Sequence, residues 1–176
     1  MSFLKQFAIN FANLNPEEYS FEFIIDERFF EIFDESEVKK GRLNAQILLQ
    51  KHANMLSFNF IIKGKVNLIC DRCLDNFDFD LNTENRLIVK FSSVRKEESD
   101  EIITIPESDK EINIAQYVYE FIHLALPSKR VHPIDKNGKT LCNKEIITKL
   151  EEHKNNKSTD DETDPRWEVL KKIKFN

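Results

Sequence analysis

Glycine is scarce in this sequence, and its scarcity excludes one class of nucleotide site. Only three Gly occur among 176 residues, too few for the glycine-rich loops that hold phosphates in dinucleotide-binding and P-loop proteins. No apolar run reaches the ~18 residues of a membrane-spanning helix, and the first residues lack a basic segment followed by an apolar one. We therefore expect a cytoplasmic protein that does not bind membranes.

Cysteine is scarce as well, which argues against a disulfide framework. The three residues Cys70, Cys73 and Cys142 cannot all pair within the chain, and a reducing compartment keeps thiols free. We expect free thiols or metal ligands at these positions.

Phenylalanine and charge are what the sequence holds in quantity. Fifteen Phe, 40% apolar residues and 32% charged residues describe a chain with one hydrophobic core and a solvated surface. Phe and Ile favour the half-buried face of a sheet, and a mass of 20.8 kDa is the size of one ordinary domain. The composition predicts one sheet-rich domain.

The clearest pattern is an alternation of period two from Leu56 to Cys70. Apolar residues or glycine occupy every even position there, which is typical of a long strand with one buried face. Gly64, in its middle, is where a bend or a close backbone approach is easiest. A second alternation starts at Phe77, so residues 70–73 are predicted to form the tip of an antiparallel hairpin. Shorter alternations predict further strands near 7–11, 21–25, 43–49 and 102–105, and the polar segment 92–100 is predicted to be an exposed loop.

The predicted helix with the best spacing follows Asn113, a candidate N-cap, and ends before Pro127. A short helix is also predicted within 26–34. The fold class is therefore α+β: a curved antiparallel sheet that could close into a barrel, with one packed helix and a short C-terminal helix. We predict a single domain over 1–150, an acidic linker over 151–164 and a short helix or tail over 165–176.

The CxxC formed by Cys70 and Cys73 is the strongest chemical feature. Two thiolates three positions apart on a tight turn can face one tetrahedral Zn²⁺, and the best candidates for the other ligands are His132 and Cys142. These residues predict a Cys₃His zinc site. The alternative is that the thiols are small buried apolar groups without a metal. Redox catalysis would require a cysteine at a helix N-terminus, whereas strands are predicted to flank this CxxC.

Basic residues mark a second candidate surface. Residues 128–149 carry a net charge of +4, whereas 151–164 carry −4. The whole chain has a net charge of −5 and a pI of about 5.5, so it repels nucleic acid at long range and any RNA contact must be local. A solvated loop and tail are the alternative interpretation. The candidate residues for contact with RNA or a partner are Arg72, Lys129, Arg130, Lys136, Lys139, Arg166 and Trp167.

Catalytic arrangements are not evident in the sequence. The four His are scattered, and no Ser/His/Asp set or carboxylate pair is recognisable by its spacing. We therefore expect that the protein is not an enzyme.

A family resemblance rests on several short motifs in a fixed order. They are CDRCL at 70–74, LALP at 124–127, His132, Cys142, and DPRW at 164–167 followed by Leu170. This order, over about 43–173, resembles the YceD-like family of large ribosomal RNA subunit accumulation proteins. Many relatives carry a further cysteine after the position of Cys142, where this chain has Asn143, and the departure leaves His132 as the substitute ligand.

The resemblance implies a function in making or stabilising large-subunit ribosomal RNA. We expect a ribosome-biogenesis factor for 23S ribosomal RNA that binds this RNA or a basic ribosomal protein, with no DNA partner. Two other classes stay open: a zinc-dependent hydrolase or nuclease acting on precursor ribosomal RNA, which needs an open zinc position and a general base, and a protein adaptor that uses Trp167.

Overall fold

The computed structural model of the chain describes residues 3–156, which divide into two compact units. The first unit holds the described residues up to Ile69 together with Asn76–Arg130, and the second holds Cys70–Asp75 with the described residues from Val131 onward. The sequence predicts one domain over 1–150, and this stays a prediction. The division arises because the turn at Cys70–Asp75 makes its contacts with the segment after Val131.

A six-stranded sheet forms the centre of the first unit. The described residues form eight strands in all: β1 (Ala8–Asn10), β2 (Glu18–Ile25), β3 (Lys40–Lys51), β4 (Met55–Ile69), β5 (Asn76–Ser92), β6 (Lys96–Ser99), β7 (Ile102–Pro106) and β8 (Glu111–Asn113). The large sheet has the order β2-β3-β4-β5-β7-β6, and β1 pairs with β8 separately. Neighbouring strands are antiparallel except β5 and β7, which are parallel. The α+β class is confirmed, and the sheet is open rather than closed into a barrel.

The two long central strands bury the faces that their alternation predicts. Even-numbered residues of β4 and odd-numbered residues of β3 point into one core because side chains alternate across a strand. Those that are buried are Leu43, Ala45, Ile47, Leu49, Leu56, Phe58, Phe60, Ile62, Val66 and Leu68.

Gly64 is required where β3 and β4 approach closely. Its φ is +150°, and a Cβ built there would lie 2.3 Å from the carbonyl oxygen of Arg42 and 2.7 Å from the Cα of Leu43. Both neighbours are backbone atoms within a paired strand, so they cannot move aside without breaking the ladder. The predicted close backbone approach at this glycine is therefore found.

Side-chain oxygens accept backbone N–H groups at the start of two helices of the first unit. The Asp26 carboxylate accepts the backbone N–H of Arg28 at the start of α1 (Glu27–Phe30). Asn113 accepts the backbone N–H of Ala115, the first residue of α2 (Ala115–Leu124), at 2.9 Å. Helix α2 packs on the sheet through Phe121, whose ring lies 5.0 Å from that of Phe60. The predicted helix is therefore confirmed, but its N-cap residue is Ile114, and the predicted cap Asn113 lies one position earlier.

Several local predictions differ from the structure. A 3-10 helix (Phe3–Phe7) precedes β1 where the alternation predicts the start of a strand, and β6 lies in the segment predicted as a loop, although its four residues are exposed as expected. A further helix, α3 (Lys144–Asn156), follows Asn143, whose side chain accepts the backbone N–H of Glu145.

The predicted linker over 151–164 begins inside α3. Its later residues, the predicted C-terminal helix over 165–176, and the candidates Arg166 and Trp167 lie outside the described residues. Among the residues that the structure describes, no helix is long and apolar enough to cross a membrane.

The register of β4 makes a first prediction. Phe60 is fully buried and the neighbouring Ile61 faces the other side of the sheet, so Phe60→Ala should lower the free energy of unfolding by about 3–5 kcal/mol. Ile61→Ala is the control and should cost no more than about 1–2 kcal/mol. Urea denaturation measures both, and equal losses would mean that the assigned faces are wrong.

Gly64 makes a second prediction. Gly64→Ala forces a methyl group against the backbone of β3 and should destabilise the chain by about 2–4 kcal/mol. Gly138→Ala is the control, because that residue also has a positive φ, 77°, but no atom within 4 Å of an added Cβ; its cost should be about 1 kcal/mol. A loss at position 64 no larger than at position 138 would contradict the close approach.

Candidate metal centre

The CxxC lies in a tight turn that brings its two thiols together. The backbone N–H of Cys70 donates to the carbonyl oxygen of Asp75 at 3.0 Å, and the N–H of Leu74 donates to the carbonyl oxygen of Cys70 at 2.9 Å. Leu74 has a φ of +63°, a left-handed conformation that a non-glycine residue adopts at a cost of roughly 1–2 kcal/mol. The chain thus reverses immediately after Cys73, which leaves both sulfur atoms inside the turn.

A second loop supplies the remaining donors at its two ends. Between His132 and Cys142 the chain doubles back, with a bridge between Ile134 and Thr140 and a hydrogen bond from the N–H of Leu141 to the carbonyl oxygen of Pro133 at 3.2 Å. Residues ten positions apart in the sequence are therefore neighbours in space.

The tip of this loop is held by Asp135. Its carboxylate accepts the backbone N–H groups of Asn137 and Lys139, each at 2.8 Å, and Gly138 takes the left-handed conformation with a φ of 77°. An aspartate two positions before Asn-Gly is a recognisable turn signal. The signal is present in the sequence, but the predictions from the sequence do not include this turn.

The turn and the loop bring the four predicted metal-ligating residues into one cluster. The donor atoms of Cys70, Cys73, His132 and Cys142 all lie within 4.8 Å of one another. The Sγ atoms of Cys70 and Cys142 are 3.8 Å apart, and Cys73 Sγ lies 3.4 Å from His132 Nδ1. All three cysteines are buried and unpaired as disulfides.

The distances between Cys70 and Cys142 and between Cys73 and His132 fit the edges of a zinc tetrahedron. Zn–S bonds of about 2.3 Å and Zn–N bonds of about 2.0–2.1 Å give S···S edges of about 3.8 Å and S···N edges of about 3.5 Å. A disulfide, by contrast, needs sulfur atoms about 2.05 Å apart. Three thiols and one imidazole form a soft donor set of the kind that holds structural zinc. The cluster can therefore hold a metal ion through four protein ligands.

Backbone N–H groups tune the thiols of the cluster. Burial raises the pKa of the Cys70 thiol, but hydrogen bonds from the backbone of Cys73, Arg72 and His132, with a smaller one from the His132 side chain, outweigh it and lower this pKa to about 6. Burial raises the pKa of Cys73 despite opposing backbone hydrogen bonds, of which that from Asn143 is the largest. Donors aimed at sulfur favour the thiolate, the form that binds metal.

Asn143, the residue after Cys142, makes two contacts beside the cluster. Its side-chain amide donates to the Asp75 carboxylate at 3.1 Å, and its oxygen caps α3. Asn143 thus ties the CxxC turn to the first turn of that helix. The sequence does not reveal that Asn143 joins the turn to the helix, because Asp75 is distant from it in sequence.

The basic candidates are found in different surroundings. Arg72 is exposed within the CxxC turn, and Lys136 and Lys139 are exposed at the tip held by Asp135. Lys129 is exposed in the first unit, whereas Arg130 of that unit forms an ion pair with Glu37.

Comparison with known proteins identifies one family. A family model described as "Large ribosomal RNA subunit accumulation protein YceD" matches residues 58–174, more than half of the chain, and this range includes all four residues of the cluster. Neither curated proteins nor solved structures contain a significant match to the chain.

The cluster predicts metal binding that depends on each of its members. The purified protein should bind about one zinc ion per chain, and Co²⁺ in its place should show the sulfur-to-metal absorption of tetrahedral thiolate sites. His132→Gln and Cys142→Ser should each weaken metal affinity at least about tenfold. The matched control is His153→Gln, an exposed histidine of α3 outside the cluster. Metal content that is absent in the parent, or unchanged by both cluster substitutions, would refute the site.

Proposed function

The chain belongs to the YceD family of large ribosomal RNA subunit accumulation proteins, and we propose that it is a cytoplasmic ribosome-biogenesis factor that supports accumulation of 23S ribosomal RNA by binding this RNA. It acts without catalysing a reaction. The observation that carries the proposal is the convergence of Cys70, Cys73, His132 and Cys142 around one point, beside exposed basic side chains of the same unit.

Zinc is the proposed occupant of the cluster, and its role is structural. When bound, it would cross-link the CxxC turn to both ends of the loop from His132 to Cys142. The loop's own hydrogen bonds already bring those ends together, so the ligands need little reorganisation. Structural zinc contributes directly to folding in small units that lack a large core. The second unit has few buried apolar residues of its own: among its described residues only the three cysteines are buried.

The proposed RNA contacts are basic side chains on rigid parts of the second unit. Arg72 lies between the two cysteines of the turn, and Lys136 and Lys139 flank the tip that Asp135 holds. A backbone held in place at the tip lowers the entropy lost by the loop when its side chains meet phosphates. Because the whole chain is acidic, such contacts act locally and should weaken steeply with salt. Lys129, Arg130, Arg166 and Trp167 are further candidates of the same proposal.

A binding function fits the donor set better than catalysis does. A catalytic zinc site has three protein ligands and keeps its fourth position for water or substrate, whereas this cluster offers four protein donors. If the protein is instead a zinc-dependent nuclease, the binding experiment described below will show shortened RNA. The second candidate is an adaptor for a basic ribosomal protein, favoured by the net charge of −5.

Charge reversal at the loop tip tests the proposal. Lys136→Glu with Lys139→Glu should raise the Kd for a precursor 23S fragment about tenfold or more, and should reduce the slope of log K against log salt by about one to two. Lys5→Glu with Lys110→Glu is the control: it makes the same change in net charge at exposed residues of the first unit. Electrophoretic mobility shift measures binding and also shows whether the RNA is cut.

The cellular test uses the same variants. Cells lacking the protein should show a lower ratio of 23S to 16S ribosomal RNA, restored by the parent protein and by the control variant but not by the loop-tip variant. Equal behaviour of the two variants, or no affinity of the parent for the RNA, would overturn the proposed contact.

A further inference from the structure

The first unit carries an open groove that the RNA contact does not use. The groove has a volume of about 960 Å³ and lies among β6, helix α2 and the segment after α1. Its lining carries six carboxylates and neither Lys nor Arg. They are Glu35, Glu37, Glu97, Glu98, Asp100 and Glu120.

Most of this negative charge is not neutralised by neighbours. Glu37 is paired with Arg130, and Glu98 with Lys90 at 2.9 Å. The other four carboxylates form no ion pair with another described residue. Burial is the main cause that raises the pKa of the Tyr117 hydroxyl in the groove; the charge of Glu97 adds to it and that of Arg95 opposes it. The groove is thus a strongly electronegative surface on a molecule that is acidic overall.

One wall of the groove is an edge strand. Strand β6 is the last strand of the six-stranded sheet and pairs with β7 on one side. On its other side it pairs with no strand of the described residues. Its residues from Lys96 to Ser99 are all exposed. The strand is short, and its register with β7 shifts between Glu97 and Ser99. Its outer edge still presents backbone donors and acceptors to which an extended segment can add as a further strand.

The opposite wall offers apolar and aromatic contacts. Helix α2 places Tyr117 in the groove, together with Leu124, whose side chain is 77% exposed. Tyr119 also lines the groove, but its ring already packs against those of Phe33 and His123. Aromatic faces bind the cationic heads and aliphatic stems of Lys and Arg. An RNA strand would be repelled by the six carboxylates, so the groove selects a polycation with apolar side chains in alternation.

We propose that this groove binds an extended, Lys- and Arg-rich polypeptide segment, which adds to β6 as a seventh strand while its cationic side chains meet the carboxylates. Charge complementarity and the open edge strand specify this occupant together. The site is separate in sequence and in unit from the loop tip proposed to contact RNA, so either inference can fail without the other.

A labelled synthetic peptide of about ten residues, alternating Lys or Arg with Val, tests the groove in the full-length protein. Fluorescence anisotropy at physiological salt should show saturable binding. Glu97→Lys with Glu120→Lys should raise the Kd at least about tenfold. The matched control is Glu18→Lys with Glu22→Lys, the same charge change at exposed residues of β2, the other edge strand of the sheet. Thermal melting checks that both variants fold.

The peptide itself provides a second control. Methylation of alternate backbone nitrogens keeps its charge but removes strand hydrogen bonds, and should weaken binding about tenfold or more. Equal loss in the β2 and groove variants would show attraction to net charge alone and overturn the proposal. Unaffected binding of the methylated peptide would overturn the strand addition. Unchanged RNA affinity in the groove variant separates this result from the RNA proposal.

Discussion

The pairing of β4 with β5 is the interaction on which the rest of the structure depends. The two strands are in continuous register from Met55 opposite Lys90 to Ile69 opposite Asn76. A shift of one residue would turn the core-facing side chains of β4 out of the core. The same register sets where the hairpin closes, and therefore that Cys70 and Cys73 lie in the turn between the strands.

Much of this fold can be predicted from the sequence because its main strands are long and strictly alternating. The faces of β3 and β4, the glycine at their close approach and the capped helix α2 all follow from local patterns. Strand β6 and helix α3 do not. Four exposed, charged or polar residues carry no alternation, so only the neighbouring β7 reveals that Lys96–Ser99 pairs as a strand. Helix α3 has a low apolar content that resembles a solvated loop.

The two candidate surfaces differ in how far the sequence can predict them. The CxxC signals half a metal site, and the scarcity of other thiols leaves Cys142 as the natural partner, so the four residues of the cluster can be selected from the sequence alone. The acidic groove has no such signal. Its carboxylates come from three segments, near Glu35, Asp100 and Glu120, and acidic residues are common throughout the chain. Only the packing of α2 beside the sheet edge shows that they share a groove.

The discontinuity of the second unit has a consequence for the order of events during translation. Cys70 leaves the ribosome long before its neighbour Cys142, which is 72 positions later in the chain. At about 5–20 residues per second, the interval is about 4–14 s. During that time the sheet can assemble while the two thiols of the turn lack the other two residues of the cluster, His132 and Cys142. The second unit can close only after Cys142 has been synthesised, so its completion follows the synthesis of every strand of the sheet.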